Sequence, residues 1–72
     1  MFARSLRNAV HIRRFTIRPV DASGWEVRDE TDGDVLKRVL YSDWHRVERA
    51  IAAFSKEAET LRAGGWVEES AN

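Results

Sequence analysis

The residues of this 72-residue chain best suited to chemistry, by type and spacing, are Asp43, His45 and Glu48. An imidazole and a carboxylate three residues apart on a helix are neighbours, as metal sites and general acid–base pairs require. However, Trp44 and Val47 mark the buried side of the same helix, so the polar side chains face solvent or cap its first turn. Acidic groups there also suit the helix dipole. We therefore predict no catalytic activity, metal site or cofactor.

Arginines form a second set of candidate residues, on segments with the alternation of β-strands. This alternation places Arg14, Arg18 and Arg28 on the polar face of a sheet, with Lys37 or Arg38 beside them. Three-stranded sheets enter the DNA major groove, and arginine pairs with guanine edges. Because the net charge is zero and the second half of the chain is acidic, nucleic-acid binding is the alternative hypothesis rather than the first.

The charge of the chain is unevenly distributed. It has 12 basic and 12 acidic residues, yet the first twenty residues hold five arginines and no acid. This asymmetry indicates internal neutralisation, attraction between copies, or a basic N-terminal arm that binds an anionic partner such as a nucleic acid.

A chain of this length forms one domain. Its core is small, because so short a chain buries only about 60% of the surface that its unfolded form exposes. It contains no cysteine, so a disulfide or a thiolate–metal site cannot reinforce that core. Association with a partner subunit is the remaining way to stabilise so small a core. With no cysteine and no apolar run of signal or membrane-spanning length, we expect a soluble, cytoplasmic protein.

The clearest pattern in the sequence is an apolar stripe typical of an amphipathic helix. Spacings of three and four predict a helix from about residue 44 to 63, capped by Ser42 or Asp43 and ended by Gly64-Gly65. We expect Trp44 to meet Trp25 in the core. The stripe consists of Trp44, Val47, Ile51, Phe54, Ala58 and Leu61.

Three segments before this helix alternate as strands, and the turn residues between them predict antiparallel hairpins. Pro19 lacks a backbone N–H, so it marks an edge strand or the end of the first strand. The predicted fold class is α+β, a three-stranded antiparallel meander packed on one long helix (β-β-β-α), with a possible short N-terminal helix. The strands are residues 11–20, 25–30 and 35–41; residues 1–10 are a basic tail or short helix, 11–67 the domain, and 68–72 a disordered end.

The third strand predicts a binding surface, because both of its faces carry apolar residues. Val35, Val39 and Tyr41 share one face with Lys37, whereas Leu36, Leu40 and Arg38 lie on the other. A single helix covers only one face, so the N-terminal segment or a second copy is expected to cover the other. We therefore predict a protein-interaction module, most simply a homodimer. Its candidate interface residues are Leu36, Leu40 and Trp66, the last following the helix stop.

Two resemblances accompany this prediction. If residues 2–9 are helical, the order of elements resembles the double-stranded RNA-binding domain. That family holds phosphates with a lysine cluster at the start of its last helix, where this chain reads Ser42-Asp43-Trp44-His45-Arg46. The hairpin Gly24-Trp25-Glu26-Val27-Arg28 and the helix after it are similar to small bacterial proteins of unknown function, over roughly residues 14–63. This second resemblance implies an α+β fold and no established activity.

Overall fold

Four strands precede the helix, and a fifth follows it. The computed structural model describes residues 2–69, which form one antiparallel sheet with strand order β4-β3-β2-β1-β5 and one helix across one of its faces. The elements are β1 (Phe2–Asn8), β2 (His11–Asp21), β3 (Gly24–Thr31), β4 (Asp34–Tyr41), α1 (Trp44–Ala63) and β5 (Val67–Glu69). No helix formed by the described residues lies on the opposite face of the sheet, and we call it the open face.

The predicted β-β-β-α order is wrong, because residues 2–8 are neither a tail nor a helix but the strand β1. Phe2 and Leu6 pack against the core under α1, and Leu6 is fully buried. Between them, Arg4 also faces the helix side, where it pairs with carboxylates. An arginine at this inward position conceals the apolar alternation of the strand. Ala9, counted among the helical residues, lies in the following turn with a φ of 55°.

The domain extends further towards the C-terminus than predicted. β5 pairs antiparallel with β1, with Glu68 opposite Leu6 and Glu69 opposite Ser5. The first two residues of the expected disordered end, Glu68 and Glu69, are thus in the sheet; Met1 and residues 70–72 lie outside the described residues. β1 is consequently an interior strand held on both sides.

The core lies between the sheet and α1. The ring of Phe54 on the helix lies 4.8 Å from that of Phe15 and 6.2 Å from that of Phe2, measured between centroids. Trp25 and Trp44 meet as predicted, at 5.2 Å, but Trp44 remains 44% exposed, so they meet at the margin of the core. The buried apolar residues are Leu6, Phe15, Ile17, Val27, Val47, Phe54 and Ala58.

Two irregularities shape the sheet. The first is a register shift between Pro19 and Asp21 in β2, an interior strand. Ile17 is the last described residue of β2 with a partner in β1, so no described strand flanks Pro19 on that side. A second shift, between Asp29 and Glu30, changes the register of β4. The shift places Val35 opposite Glu30, on the open face. The prediction that Val35 shares a face with Val39 and Tyr41 is therefore wrong.

The helix begins and ends where its sequence predicts. At the N-terminus, the Asp43 carboxylate accepts a hydrogen bond from the backbone N–H of His45 at 3.0 Å. At the C-terminus, the backbone N–H of Trp66 donates to the carbonyl of Leu61 at 3.0 Å, and that of Gly65 donates to Arg62 at 3.1 Å. These two bonds form a Schellman motif. No helix among residues 2–69 has the length and apolarity needed to cross a membrane.

Replacing Gly65 by Ala is expected to destabilise the protein by roughly 1–2 kcal/mol, because Gly65 has a φ of 102°, which costs little only for glycine. Gly64 provides the matched control. Its φ is −85°, and an added Cβ would meet the Leu61 carbonyl oxygen at an ordinary contact distance of 3.4 Å. Gly64→Ala should therefore leave the free energy of unfolding, measured in urea, nearly unchanged. Equal effects of the two substitutions would contradict this interpretation of the helix end.

Candidate functional site

The arginines that strand alternation places on the polar face of the sheet lie together on the open face. Arg14 and Arg18 lie on β2, Arg28 on β3 and Arg38 on β4. The register places Arg28 directly opposite Arg38 and opposite Thr16 on its other side, so these side chains share a face. The sequence predicted that either Lys37 or Arg38 would lie beside these arginines. Arg38 lies on the open face, whereas Lys37 lies on the helix side.

Glu26 is the centre of this arrangement, and only 2% of it is exposed. One carboxylate oxygen accepts a hydrogen bond from Nε of Arg38 at 2.5 Å, and the other from Nε of Arg18 at 3.3 Å. Nε of Arg28 lies 3.7 Å from that second oxygen. The hydrogen bond from Arg38 keeps the pKa of Glu26 below its usual range, although burial opposes this shift. A buried, ionised glutamate thus accepts hydrogen bonds from two arginines and lies beside a third.

The outer ends of two of these arginines remain available. Arg18 and Arg38 contact Glu26 through Nε, and no hydrogen bond within residues 2–69 engages their terminal Nη groups. Their side chains are 66% and 53% exposed. Arg28 differs, because its Nη1 donates to Glu30 at 3.2 Å and its buried Nε has no hydrogen-bond partner among the described residues. The open face therefore presents guanidinium donors to solvent.

Like charges are placed side by side on this face. Arg28 and Arg38 stand directly opposite each other on neighbouring strands, an arrangement that costs stability. Glu26 offsets this repulsion, and Glu30 pairs with Arg28. Four arginines against two glutamates on β2, β3 and β4 leave an excess of two positive charges. A local arrangement that opposes stability is typical of a functional surface.

The three candidate interface residues do not form one surface. Leu36 and Leu40 on β4 are 61% and 59% exposed, and Leu40 pairs with Glu26 on the open face. Neither the N-terminal segment nor any other described element covers them. Trp66 is instead partly buried against the core. Leu36 and Leu40 thus remain interface candidates, whereas Trp66 belongs to the packing of the helix end.

The uneven charge of the chain is balanced within the fold. Four of the five arginines in the first twenty residues contact carboxylates, and Arg14 donates to the hydroxyl of Ser5. Hydrogen bonds from Arg4 to Glu68 and Glu59 raise the pKa of Arg4. A free basic N-terminal arm is therefore absent from residues 2–20. The pairs are Arg4 with Glu59 and Glu68, Arg7 with Glu69, Arg13 with Asp29 and Glu57, and Arg18 with Glu26.

The helix residues considered first for chemistry are exposed to solvent. Nδ1 of His45 lies 3.5 Å from the Glu48 carboxylate, with side chains 84% and 55% exposed, and Asp43 caps the helix. Across residues 2–69, no three histidine, aspartate or glutamate side chains are grouped so that they could hold a metal ion.

Sequence reasoning missed the central role of Glu26. The signal was present, because alternation places Glu26 beside Arg28 and on the same face as Arg18. The N-terminal helix on which the resemblance to the double-stranded RNA-binding domain depends is replaced by β1. No protein-family model matches the chain, and neither the curated proteins nor the solved structures give a match.

Proposed function

We propose that the protein binds duplex nucleic acid through phosphate contacts on its open face. The observation that carries this proposal is the grouping of Arg14, Arg18, Arg28 and Arg38 on one uncovered surface, with an excess of two positive charges. Guanidinium groups donate two parallel hydrogen bonds to phosphate, which makes arginine the preferred residue for such contacts. The buried Glu26 supports the proposal, because its hydrogen bonds orient Arg18 and Arg38 with their terminal Nη groups free among the described residues.

A duplex is favoured over a single strand by the distribution of aromatic residues. Phe15 and Trp25 face α1, and within the described residues no aromatic side chain lies on the open face. Binding of single strands depends largely on stacking of bases against aromatic rings. A flat face of arginines without such rings suits the regularly spaced phosphates of a duplex, and it predicts little sequence preference.

The test is the binding of a fluorescently labelled 20-base-pair DNA duplex, followed by anisotropy at several salt concentrations. Three phosphate contacts, from Arg14, Arg18 and Arg38, predict a slope of log affinity against log salt of up to about −2.7. Affinity would then fall roughly 40-fold between about 50 and 200 mM salt. Duplex RNA should bind similarly, and single strands more weakly. Absence of duplex binding at the lowest salt concentration would overturn the proposal.

Two variants locate the contact. Arg14 and Lys56 both lack a carboxylate partner among the described residues, but Arg14 lies on the open face and Lys56 on the helix. Arg14→Gln should weaken binding and reduce the salt slope by about one. Lys56→Gln removes the same charge from the other side and should change neither. Equal effects of the two substitutions would place the nucleic acid elsewhere.

A homodimer is the second candidate, and the exposure of Leu36 and Leu40 on an edge strand favours it. Among residues 2–69, β4 pairs only with β3, so the described sheet leaves its outer backbone groups unpaired, and such an edge accepts another strand. Sedimentation equilibrium at micromolar concentration should give twice the chain mass, and Leu40→Glu should reduce it. A monomer mass for the unaltered protein would exclude this candidate.

A further inference from the structure

A second basic site lies on the other side of β4 from the open face. Lys37 on β4 and Arg46 and Arg49 on α1 line a cleft of about 290 Å³ between the edge of the sheet and the first half of the helix. Ala50 and Ala53 line the same cleft with small side chains. The cleft thus combines cationic groups with room for a small molecule.

These cations differ from most others in the protein. Seven of the twelve basic residues lie within 4.0 Å of a carboxylate in the described structure. The five that do not are Arg14, Lys37, Arg46, Arg49 and Lys56. Three of these five line this one cleft, and none of its described lining residues is acidic. The nearest carboxylate placed by strand pairing is that of Asp29, which stands opposite Lys37 but is already paired with Arg13. The fold therefore gathers three cations here with no carboxylate of the described residues within 4.0 Å of them.

We propose that this cleft binds a phosphomonoester dianion. Three unneutralised cations attract a ligand with more than one negative charge, and a terminal phosphate carries −1.5 to −2 at about pH 7. A phosphodiester carries only one, so the cleft favours the monoester. Tyr41, which also lines the cleft, adds a side chain with a neutral hydrogen-bond donor. Arg46 and Arg49 can each donate two parallel bonds to phosphate oxygens.

The test is a titration of the ¹⁵N-labelled full chain with inorganic phosphate, sulfate and dimethyl phosphate at constant ionic strength, followed by NMR. Phosphate at pH 7.5 should give saturable shifts at residues 37–41 and 46–53, whereas dimethyl phosphate, a monoanion, should bind much more weakly. Lowering the pH to about 5 protonates phosphate but not sulfate, so only phosphate should lose affinity. Equal binding of phosphate and dimethyl phosphate would overturn the monoester assignment.

Variants on one helix assign the site. Arg46→Gln and Arg49→Gln should each weaken phosphate binding by roughly 5- to 10-fold. Lys56→Gln removes an unpaired cation from the same helix outside the cleft, so it should leave the affinity unchanged. Unaltered phosphate affinity in both arginine variants would overturn the proposal. Because none of these residues lies on the open face, the result is independent of duplex binding.

Discussion

Replacing Leu6 by Ala is expected to lower the free energy of unfolding by about 2–5 kcal/mol. Leu6 lies in β1 between β2 and β5 and is fully buried against the core. The substitution removes buried apolar surface and leaves a cavity that the surrounding side chains fill only in part. A domain of 72 residues has only about 4–11 kcal/mol of stability in total. Leu6→Ala is therefore expected to remove a large fraction of the total stability.

The matched control is Leu36→Ala, which removes the same atoms from a side chain that is 61% exposed. It should change stability by less than about 0.5 kcal/mol. Urea denaturation followed by tryptophan fluorescence measures both variants. If Leu6→Ala were as stable as Leu36→Ala, the first ten residues would be a tail, as their sequence suggested, and β1 would not contribute to the core.

The helix could be predicted from sequence because its determinants are local. The apolar spacing, the capping Asp43 and the glycine at position 65 all act within a few residues of where they stand. β1 could not be predicted in this way, because its stability depends on β5, which lies some sixty residues away in the chain. From sequence alone, Arg4 is expected to face solvent. It faces inward because the fold places the carboxylates of Glu59 and Glu68 beside it.

The open face was predictable in composition but not in register. Alternation alone groups Arg14, Arg18 and Arg28. In a regular hairpin continuing from the Thr31–Asp34 pair, Lys37 would stand opposite Arg28. The one-residue shift between Asp29 and Glu30 puts Arg38 there instead, within reach of Glu26. Such bulges depend on the packing of the whole sheet, and no residue type in this hairpin identifies one unambiguously.

The second large effect is expected on acidification. Hydrogen bonds from arginines lower the pKa values of Glu26, Glu59 and Glu68 in the folded protein. A carboxylate whose folded pKa is lowered stabilises the fold above its ordinary pKa, near 4.5, and loses that contribution as pH falls through the lowered value. Stability should therefore be constant from about pH 7 to pH 5 and fall steeply below it. Urea midpoints between pH 7 and pH 3 measure this change.

Arg4→Met tests which contacts carry the acid sensitivity. Arg4 donates to Glu68 at 2.7 and 2.6 Å and to Glu59 at 2.8 Å, joining β1, β5 and the helix. Its loss should cost about 1–2 kcal/mol at neutral pH, a figure kept low because Glu59 is more than half exposed.

The decisive comparison is between neutral and acidic pH. As pH falls through the lowered pKa values of Glu59 and Glu68, both become protonated even in the unaltered protein, so the difference between Arg4→Met and that protein should shrink. Arg49→Met, which removes a cation without a carboxylate partner among residues 2–69, should show no such pH dependence. A cost of Arg4→Met that is the same at pH 3 and pH 7 would mean that Arg4 stabilises the fold through packing of its aliphatic chain. A destabilisation by Arg4→Met that disappears in acid would instead show that Arg4 acts through its ion pairs, which join β1 to β5 and to the helix.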